Sequence, residues 1–301
     1  MTFRTAGKPR GLTRSRLPPV PYAEAMTGEP PGSAGLDSPG IPEIDTSVPH
    51  PARVYNYFLG GTDYFEADRI AAEAAIKTFP RTAESARAAR AFLRRVVRYM
   101  AAEAGIRQFL DIGSGLPSGE NVHQVAQSIT PEARIVYVDN DPIVMLHAQT
   151  LLAGSREGAV AFLDADLRNP ETILSEAAKT LDFSQPVAVL LLGILHSVGD
   201  QYDPQGIVRR LVQAIPGGSY LAIGHLTADI YPELTEFARA LNERQLDDPL
   251  VLRDHAQVTS FFDGVELLEP GVVELSKWRP QSEAEAAAAA ALWGGVARKP
   301  A

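Results

Sequence analysis

From Gly105 onward the chain settles into a regular alternation. Short apolar, β-branched runs fall at 107–112, 134–139, 159–164, 187–195 and 219–225. Helical stretches separate them at about 119–129, 142–153, 170–180, 203–214 and 232–245. Strand–helix alternation of this kind predicts a parallel, doubly wound α/β sheet. The last part of the chain departs from it. A run at 265–275 is broken by Pro270-Gly271, and Ser282-Glu283-Ala284-Glu285 reads as a capping box that opens an Ala-rich helix. Gly294-Gly295 is expected to stop that helix, which leaves Val296 to Lys299 as a final edge strand.

The sheet is preceded by two segments of different character. Residues 1–48 hold eight Pro and six Gly and show no sustained periodicity. Such a segment buries too little apolar surface to offset its ordering entropy, so it is expected to be a disordered tail. Residues 49–105 read as a helical cap. Ala52 to Leu59 is a short apolar-aromatic helix closed by Gly60-Gly61. Asp63 is placed to cap a second helix running to about Lys77. Pro80 and Thr82 open a third, in which Ala86, Ala89, Leu93, Val96, Val97, Met100 and Ala104 recur at helical steps until Gly105. Arg87, Arg90, Arg94 and Arg98 lie on its other side and read as a solvated face. Residues 106–301 then form the main domain.

Composition closes off several functions. The net charge is −9, with 28 Lys and Arg against 37 Asp and Glu, which argues against a nucleic-acid or anionic-membrane binder. Cysteine is absent, which removes disulfides, thiolate nucleophiles and every cysteine-based metal site. No pair of histidines shows metal-ligand spacing, so no metal is expected. The run at 187–195 is far short of the roughly 20 residues of a membrane span. With no apolar secretion signal at the N-terminus, a cytoplasmic protein is expected.

Chemistry concentrates at Phe109-Leu110-Asp111-Ile112-Gly113-Ser114-Gly115, where the first strand of the sheet ends. Glycines there let the backbone approach a ligand and turn into a helix whose amides favour anionic groups. A second acid, Asp139, ends the next strand, Ile135-Val136-Tyr137-Val138-Asp139. An acid at that place hydrogen-bonds the hydroxyls of an adenosine ribose. A dinucleotide fold calls for a third glycine, but position 118 is Ser, which disfavours a nicotinamide-dependent dehydrogenase. Asp111 instead suits a ligand whose amino-acid head carries an ammonium, namely S-adenosylmethionine.

With these segments in view, the sequence resembles the class I S-adenosylmethionine-dependent methyltransferases. More narrowly, it is similar to the bacterial S-adenosyl methyltransferase family, first catalogued as a domain of unknown function. The resemblance is carried by His50-Pro51-Ala52-Arg53-Val54-Tyr55-Asn56-Tyr57-Phe58-Leu59-Gly60-Gly61, the Asp111 to Gly115 loop, Asn121-Val122-His123, Val136-Tyr137-Val138-Asp139-Asn140-Asp141-Pro142, and Pro270-Gly271 followed by Trp278-Arg279-Pro280. It spans about 49–299. An Arg-rich, Lys-poor composition suits a high-GC bacterial genome. The resemblance implies a Rossmann-like sheet of seven strands, mostly parallel with the last antiparallel, behind an N-terminal helical cap. It implies S-adenosylmethionine as cofactor and methyl transfer to a small-molecule acceptor. It places Gly113, Ser114 and Gly115 along the methionine, Asp111 at its ammonium and Asp139 on the ribose. Asn140 and Pro142 border the adenine, Asp166 accepts from its amino group, and the Leu167 amide lies nearby. Many class I enzymes have a third glycine at the place of Pro117. Proline offers no amide, so Arg53 or His123 is expected to supply a donor for the methionine carboxylate. Tyr57 of the cap is expected to close over the cofactor.

Methyl transfer from a sulfonium needs alignment first, and a base only when the nucleophile must lose a proton. His196 follows the fourth strand and His225 ends the fifth, so both open onto the same crevice. Either can serve as base, and His196 is the favoured one. A non-catalytic sensor or scaffold that binds S-adenosylmethionine is the alternative function.

Overall fold

The computed structural model describes residues 45–117, 120–151, 157–243 and 249–301, with backbone alone at 147–151. The tail assigned to 1–48 lies outside these residues except for 45–48. The described chain opens with α1 (Pro51–Phe58), α2 (Glu66–Thr78) and α3 (Thr82–Ala102). Pro51 sits in the first turn of α1, where its missing amide would have been unpaired anyway. Asp63 does not cap α2. That helix starts three residues later, and Asp68 in its first turn accepts the Phe65 amide at 2.8 Å. A carboxylate inside the first turn meets the same free amides and the same positive end of the helix. The stripe Phe92, Leu93, Val96, Val97 and Met100 of α3 is buried. It packs with Phe109, Ile135, Leu190 and Val296 in the core on one side of the sheet.

The sheet follows as β1 (Gln108–Ile112), α4 (Val122–Ile129), β2 (Arg134–Asp139), α5 (Pro142–Leu151), β3 (Ala159–Asp164), α6 (Pro170–Ala177), β4 (Ala188–Leu192), α7 (Pro204–Ala214) and β5 (Tyr220–Leu226). Then come α8 (Leu234–Asn242), α9 (His255–Ser260), β6 (Glu266–Leu267), β7 (Val273–Glu274), α10 (Glu283–Ala287) and β8 (Leu292–Arg298). The strand order is β3-β2-β1-β4-β5-β8-β6, with β7 also paired to β8. β1 to β5 are parallel and β8 runs antiparallel to β5. This is the expected seven-strand arrangement, with the outer position shared by the two short strands β6 and β7. The chain leaves β1 for β2 on one side and reaches β4 on the other. The carboxyl ends of β1 and β4 therefore flank a crevice at the point where strand order reverses.

Two expectations for the C-terminal part are corrected. The Ala-rich helix ends at Ala287, and Gly294-Gly295 lies inside β8 rather than stopping a helix. Nor is β8 an edge strand, because it sits between β5 and β6. The reason is steric. A Cβ on Gly294 would collide with Leu275, and one on Gly295 would stand 3.1 Å from the Phe262 ring. Only a strand without side chains there fits between these neighbours, and its ladder with β5 outweighs the helix propensity of the alanines.

Candidate functional site

The loop after β1 is folded by its glycines. Gly113 has φ +75 and Gly115 φ +63, the left-handed region that other residues avoid. The Gly113 and Ser114 amides donate to the Val138 carbonyl at 2.8 and 3.2 Å, which lays the loop across the end of β2. A Cβ on Gly113 would stand 2.6 Å from Ile194, so the loop also lies against the segment after β4. Asp139 closes the turn, with Oδ2 accepting the Gly115 amide at 2.7 Å and Oδ1 the Asp141 amide at 3.1 Å. Burial raises the Asp139 pKa, and these two amides pull against it.

Asp111 is buried at the carboxyl end of β1. Burial pushes its carboxyl up to about 7, opposed by the Arg90 charge and reinforced by Asp139. A carboxyl held this way gains when a cation arrives beside it. The Ser114 hydroxyl oxygen is buried without a partner. A buried acid awaiting a cation, an orphaned hydroxyl and a loop too tight for side chains fit the amino-acid head of S-adenosylmethionine.

The cap bears on this loop through α1. Ala52 packs with Leu116, Ile143 and Val144, which joins α1 to the glycine loop and to α5. His50 Nδ1 stands 2.8 Å from Asp141 Oδ2. Burial works to raise the Asp141 pKa, but the hydrogen bond and charge of His50 hold it below the usual carboxylate range. Arg53 is turned elsewhere. Its Nε meets Asp68 at 3.1 Å and its Nη2 donates to the Val48 carbonyl at 2.7 Å, so it clamps α1 to α2. The Tyr57 hydroxyl lies 3.3 Å from Glu73, with its ring edge-on to Tyr64. His123 is buried on α4 with Nδ1 2.9 Å from the Tyr137 hydroxyl, which also accepts its amide at 2.8 Å. Burial lowers the His123 pKa and keeps the ring neutral.

Beside the sheet, Asn140 is exposed next to Asp139. Asp166 receives the Arg168 amide at 2.8 Å and its guanidinium at 2.9 Å. Burial raises its pKa, yet these bonds outweigh it and hold the group low. Leu167 is buried in the core beside Ile173. The structure thus gathers Asp111, Gly113, Ser114, Gly115 and Asp139 at one loop. It directs Arg53 and Tyr57 to contacts within the cap.

Across the crevice, Gly193 (φ +94) turns the chain after β4, and its amide bonds the Gly224 carbonyl at 2.9 Å. The turn at Leu195–Ser197 carries His196, whose Nδ1 is buried without a partner. Burial first, then the Arg253 charge, lowers its pKa to about 4. His225 lies 5.9 Å away, ring to ring, with both nitrogens engaged. Its Nδ1 is 2.7 Å from the Leu226 carbonyl and its Nε2 2.9 Å from Arg253 Nη1. Since guanidinium only donates, the network assigns the proton to Nδ1 and the lone pair to Nε2. Burial and the His196 ring lower the His225 pKa to about 3.

The residue that sequence reasoning missed is Arg253, only 2% exposed. It also donates to the Leu195 and Val198 carbonyls at 2.9 and 3.0 Å and to Asp200 at 2.6 Å. No motif or periodicity marks it. Beyond β5 a cavity of about 360 Å³ is lined by Thr227, Asp229, Thr235, Ala238, Arg253 and Gln257, among others.

A doubly wound sheet with this strand order and an antiparallel strand beyond β5 defines a class I S-adenosylmethionine-dependent methyltransferase. A glycine loop flanked by acids at the ends of β1 and β2 agrees with that class. The profile of the S-adenosyl methyltransferase family matches residues 38–300, and the chain belongs to that family. It uses S-adenosylmethionine as its cofactor. Among solved structures, a DUF574 family protein from Streptomyces avermitilis is 46% identical, with a TM-score of 0.82 over 86% of this chain and 100% of that one. A candidate methyltransferase from Thermobifida fusca is 40% identical, with a TM-score of 0.78 over 87% of this chain and 98% of that one. No curated protein sequence matches the chain. No helix of the described residues is long and apolar enough to cross a membrane.

Proposed function

We propose that the protein methylates a small molecule held at the carboxyl ends of β4 and β5, with His196 taking the proton that the acceptor loses. When bound, S-adenosylmethionine supplies a methyl group made electrophilic by its sulfonium. The chain's own residues hold, orient and deprotonate. Asp111 faces the ammonium, with Gly113, Ser114 and Gly115 along the methionine. Asp139 takes the ribose hydroxyls with the lone pairs its two amide partners leave free. Asn140, Asp166 and the Leu167 amide border the adenine. Asp166 keeps accepting capacity beyond Arg168, since a carboxylate offers about four lone-pair sites.

The observation that carries this reading is the unpartnered, buried Nδ1 of His196. It lies two residues past Ile194, which packs on Gly113 of the cofactor loop. A neutral imidazole there offers its lone pair beside the place where the methyl is presented. His225 has no nitrogen to offer and is a structural residue. The net charge of −9 disfavours nucleic acid as substrate.

The test is release of S-adenosylhomocysteine across a panel of phenols, amines and carboxylic acids. With an acceptor found, His196→Asn is expected to lower turnover by about 10²–10⁴ and leave cofactor affinity within a few-fold. His225→Asn is expected to lower stability before it lowers rate. Unchanged turnover in His196→Asn would remove the base from the mechanism.

A further inference from the structure

The helical cap meets the loop after β2 at His50. This residue is the N-cap of α1, and its Nδ1 stands 3.3 Å from the Ala52 amide nitrogen and 2.8 Å from Asp141 Oδ2. The two neighbours make opposite demands. The amide needs a lone pair on Nδ1, the carboxylate needs a proton there, and one ring nitrogen supplies only one of them. Burial decides between them. Asp141 is 1% exposed, and its Oδ2 is buried with no other donor aligned on it. Ala52 is only half-buried, so water can reach an amide of the first helical turn there. A charged oxygen stranded in the interior costs more than an amide left to water. The partners therefore assign the proton to Nδ1, on the side of Asp141.

The histidine is pinned at its other end as well. Its backbone amide donates to Asp68 Oδ1 at 2.8 Å, and the same oxygen accepts Arg53 Nε at 3.1 Å. The two further charges beside it, Asp68 and Arg53, are thus paired with each other. From Asp141 the contact runs on toward the cofactor loop. Asp141 Oδ1 accepts the Ile143 amide at 2.8 Å, which fixes the carboxylate at the start of α5. The Asp141 amide donates to Asp139 Oδ1 at 3.1 Å, and Asp139 Oδ2 takes the Gly115 amide at 2.7 Å. His50, Asp141, Asp139 and Gly115 form one connected line from the cap to the glycine loop.

We propose that His50 is a positioning residue for the cofactor: it donates from Nδ1 to Asp141 and, through Asp141, sets the Asp139 carboxylate. Without that donor the Asp141 carboxylate has nothing to hold its inner oxygen. Its backbone then shifts, and Asp139 loses one of the two amides that orient it. The cap thereby contributes to cofactor affinity through a residue that need not touch the cofactor. This rests on the reading in which Asp139 takes the ribose hydroxyls.

Calorimetry with S-adenosylhomocysteine on the full chain tests it. Three substitutions separate the contact with Asp141 from the capping of α1, because Asn, Asp and Ser all cap helices well. His50→Asn also brings a donor for Asp141 and is expected to bind within about threefold of the unmodified protein. His50→Asp sets a second carboxylate against Asp141 and is expected to bind about tenfold more weakly or worse. His50→Ser is too short to reach Asp141 and is expected to fall between them. If His50 only caps α1, all three bind alike, and the proposal falls. A double-mutant cycle then asks whether the effect passes through Asp139. In an Asp139→Ala background, His50→Asp is expected to cost less than about twofold. A loss that persists there in full overturns the proposal, since His50 would then act by another route. Should His50→Asp not fold, His50→Ser takes its place in both comparisons. The underlying reading fails on a different result. Asp139→Ala that binds as tightly as the unmodified protein overturns the ribose assignment and the proposal with it. Asp139→Ala that binds weakly beside an unaffected His50→Asp overturns the proposal alone.

Discussion

The carboxyl ends of β1 and β2 and those of β4 and β5 face the same crevice, yet they are built on opposite plans. The first carries acids whose pKa burial pushes up, Asp111 to about 7 and Asp139 in the same direction. The second carries histidines pushed down by burial, His196 to about 4 and His225 to about 3. The same low dielectric drives both, because it disfavours whichever form is charged. The first half waits for a cation. The second holds neutral rings next to a fixed guanidinium, with the His225 lone pair taken by Arg253 and the His196 Nδ1 unpartnered. The halves also differ in reach. Asp139 is held by amides within 24 residues of sequence, whereas Arg253 reaches the Leu195 carbonyl across 58.

Removing Arg253 is the largest expected effect and the most direct way to break the comparison. Arg253→Met strands the Val198 carbonyl and His225 Nε2 without their donor and leaves the Leu195 carbonyl with the Val198 amide. Asp200 itself is 73% exposed, so its carboxylate regains water and adds little. The expected loss is about 3–5 kcal/mol of stability, read from urea denaturation. Asp111→Asn is expected to cost far less. The Asp111 pKa is raised from 3.8 to about 7 in the folded state, so folding takes up a proton between those values. Its ionised form therefore opposes folding as pH rises through that window. The histidines do the reverse. Their folded values lie below 6.5, so their contribution is complete above 6.5 and is lost as pH falls from there toward about 4 and 3. An Arg253→Met variant with unchanged stability would mean that the β4–β5 half is held by something other than this hub.

How much of each half could be read from the sequence follows from that difference in reach. β1 to β5 end within a few residues of their expected positions, because each is a short apolar run bounded by local turn chemistry. Asp203, which accepts the Gly206 amide at the start of α7, is one such local signal. Asp111, Gly113 and Asp139 were legible because the turn that joins them is short and its spacing is fixed by two neighbouring strands. Arg253 was not, and neither was Arg95. Arg95 neighbours the half-buried Arg94 on α3 yet is itself buried, donating to the Leu275 carbonyl at 2.6 Å and the Trp278 carbonyl at 2.9 Å. Whether an arginine on such a stripe is solvated or buried is decided by carbonyls some 180 residues away. Gly294-Gly295 was misread for the same reason, since the strand it enters exists only once β5 is in place.

A middle-sized effect sharpens the cofactor half. Asp139→Ala removes the acid proposed for the ribose and also releases the Gly115 and Asp141 amides, which leaves the Val138 carbonyl to tie the loop to β2. Affinity for S-adenosylhomocysteine is expected to fall by about 1.5–3 kcal/mol, measured by calorimetry. Asp139→Asn keeps an acceptor for one amide and is expected to fall between the two. An Asp139→Ala variant that binds as tightly as the unmodified protein would show that the loop, and not the acid, carries the adenosine.

The smallest effect is the one that tests whether Asp111 differs in kind from the histidines across the crevice. With its pKa at about 7 in the free protein, Asp111 is half protonated at neutrality. The ammonium of the cofactor prefers the ionised form, so binding must expel the proton wherever it is present. Below about pH 7 affinity is therefore expected to weaken tenfold per pH unit, about 1.4 kcal/mol each, and to level off above it. His196 and His225 contribute no slope there, since both stay neutral down to about 4 and 3. Calorimetry from pH 5.5 to 8 reads the profile, and the heats in buffers of different ionisation enthalpy count the proton released. In Asp111→Asn the slope and the proton should vanish together, leaving a weaker affinity that no longer depends on pH. A flat profile in the unmodified protein would place the ammonium away from Asp111. A slope that survives in Asp111→Asn would assign it to another group at the site.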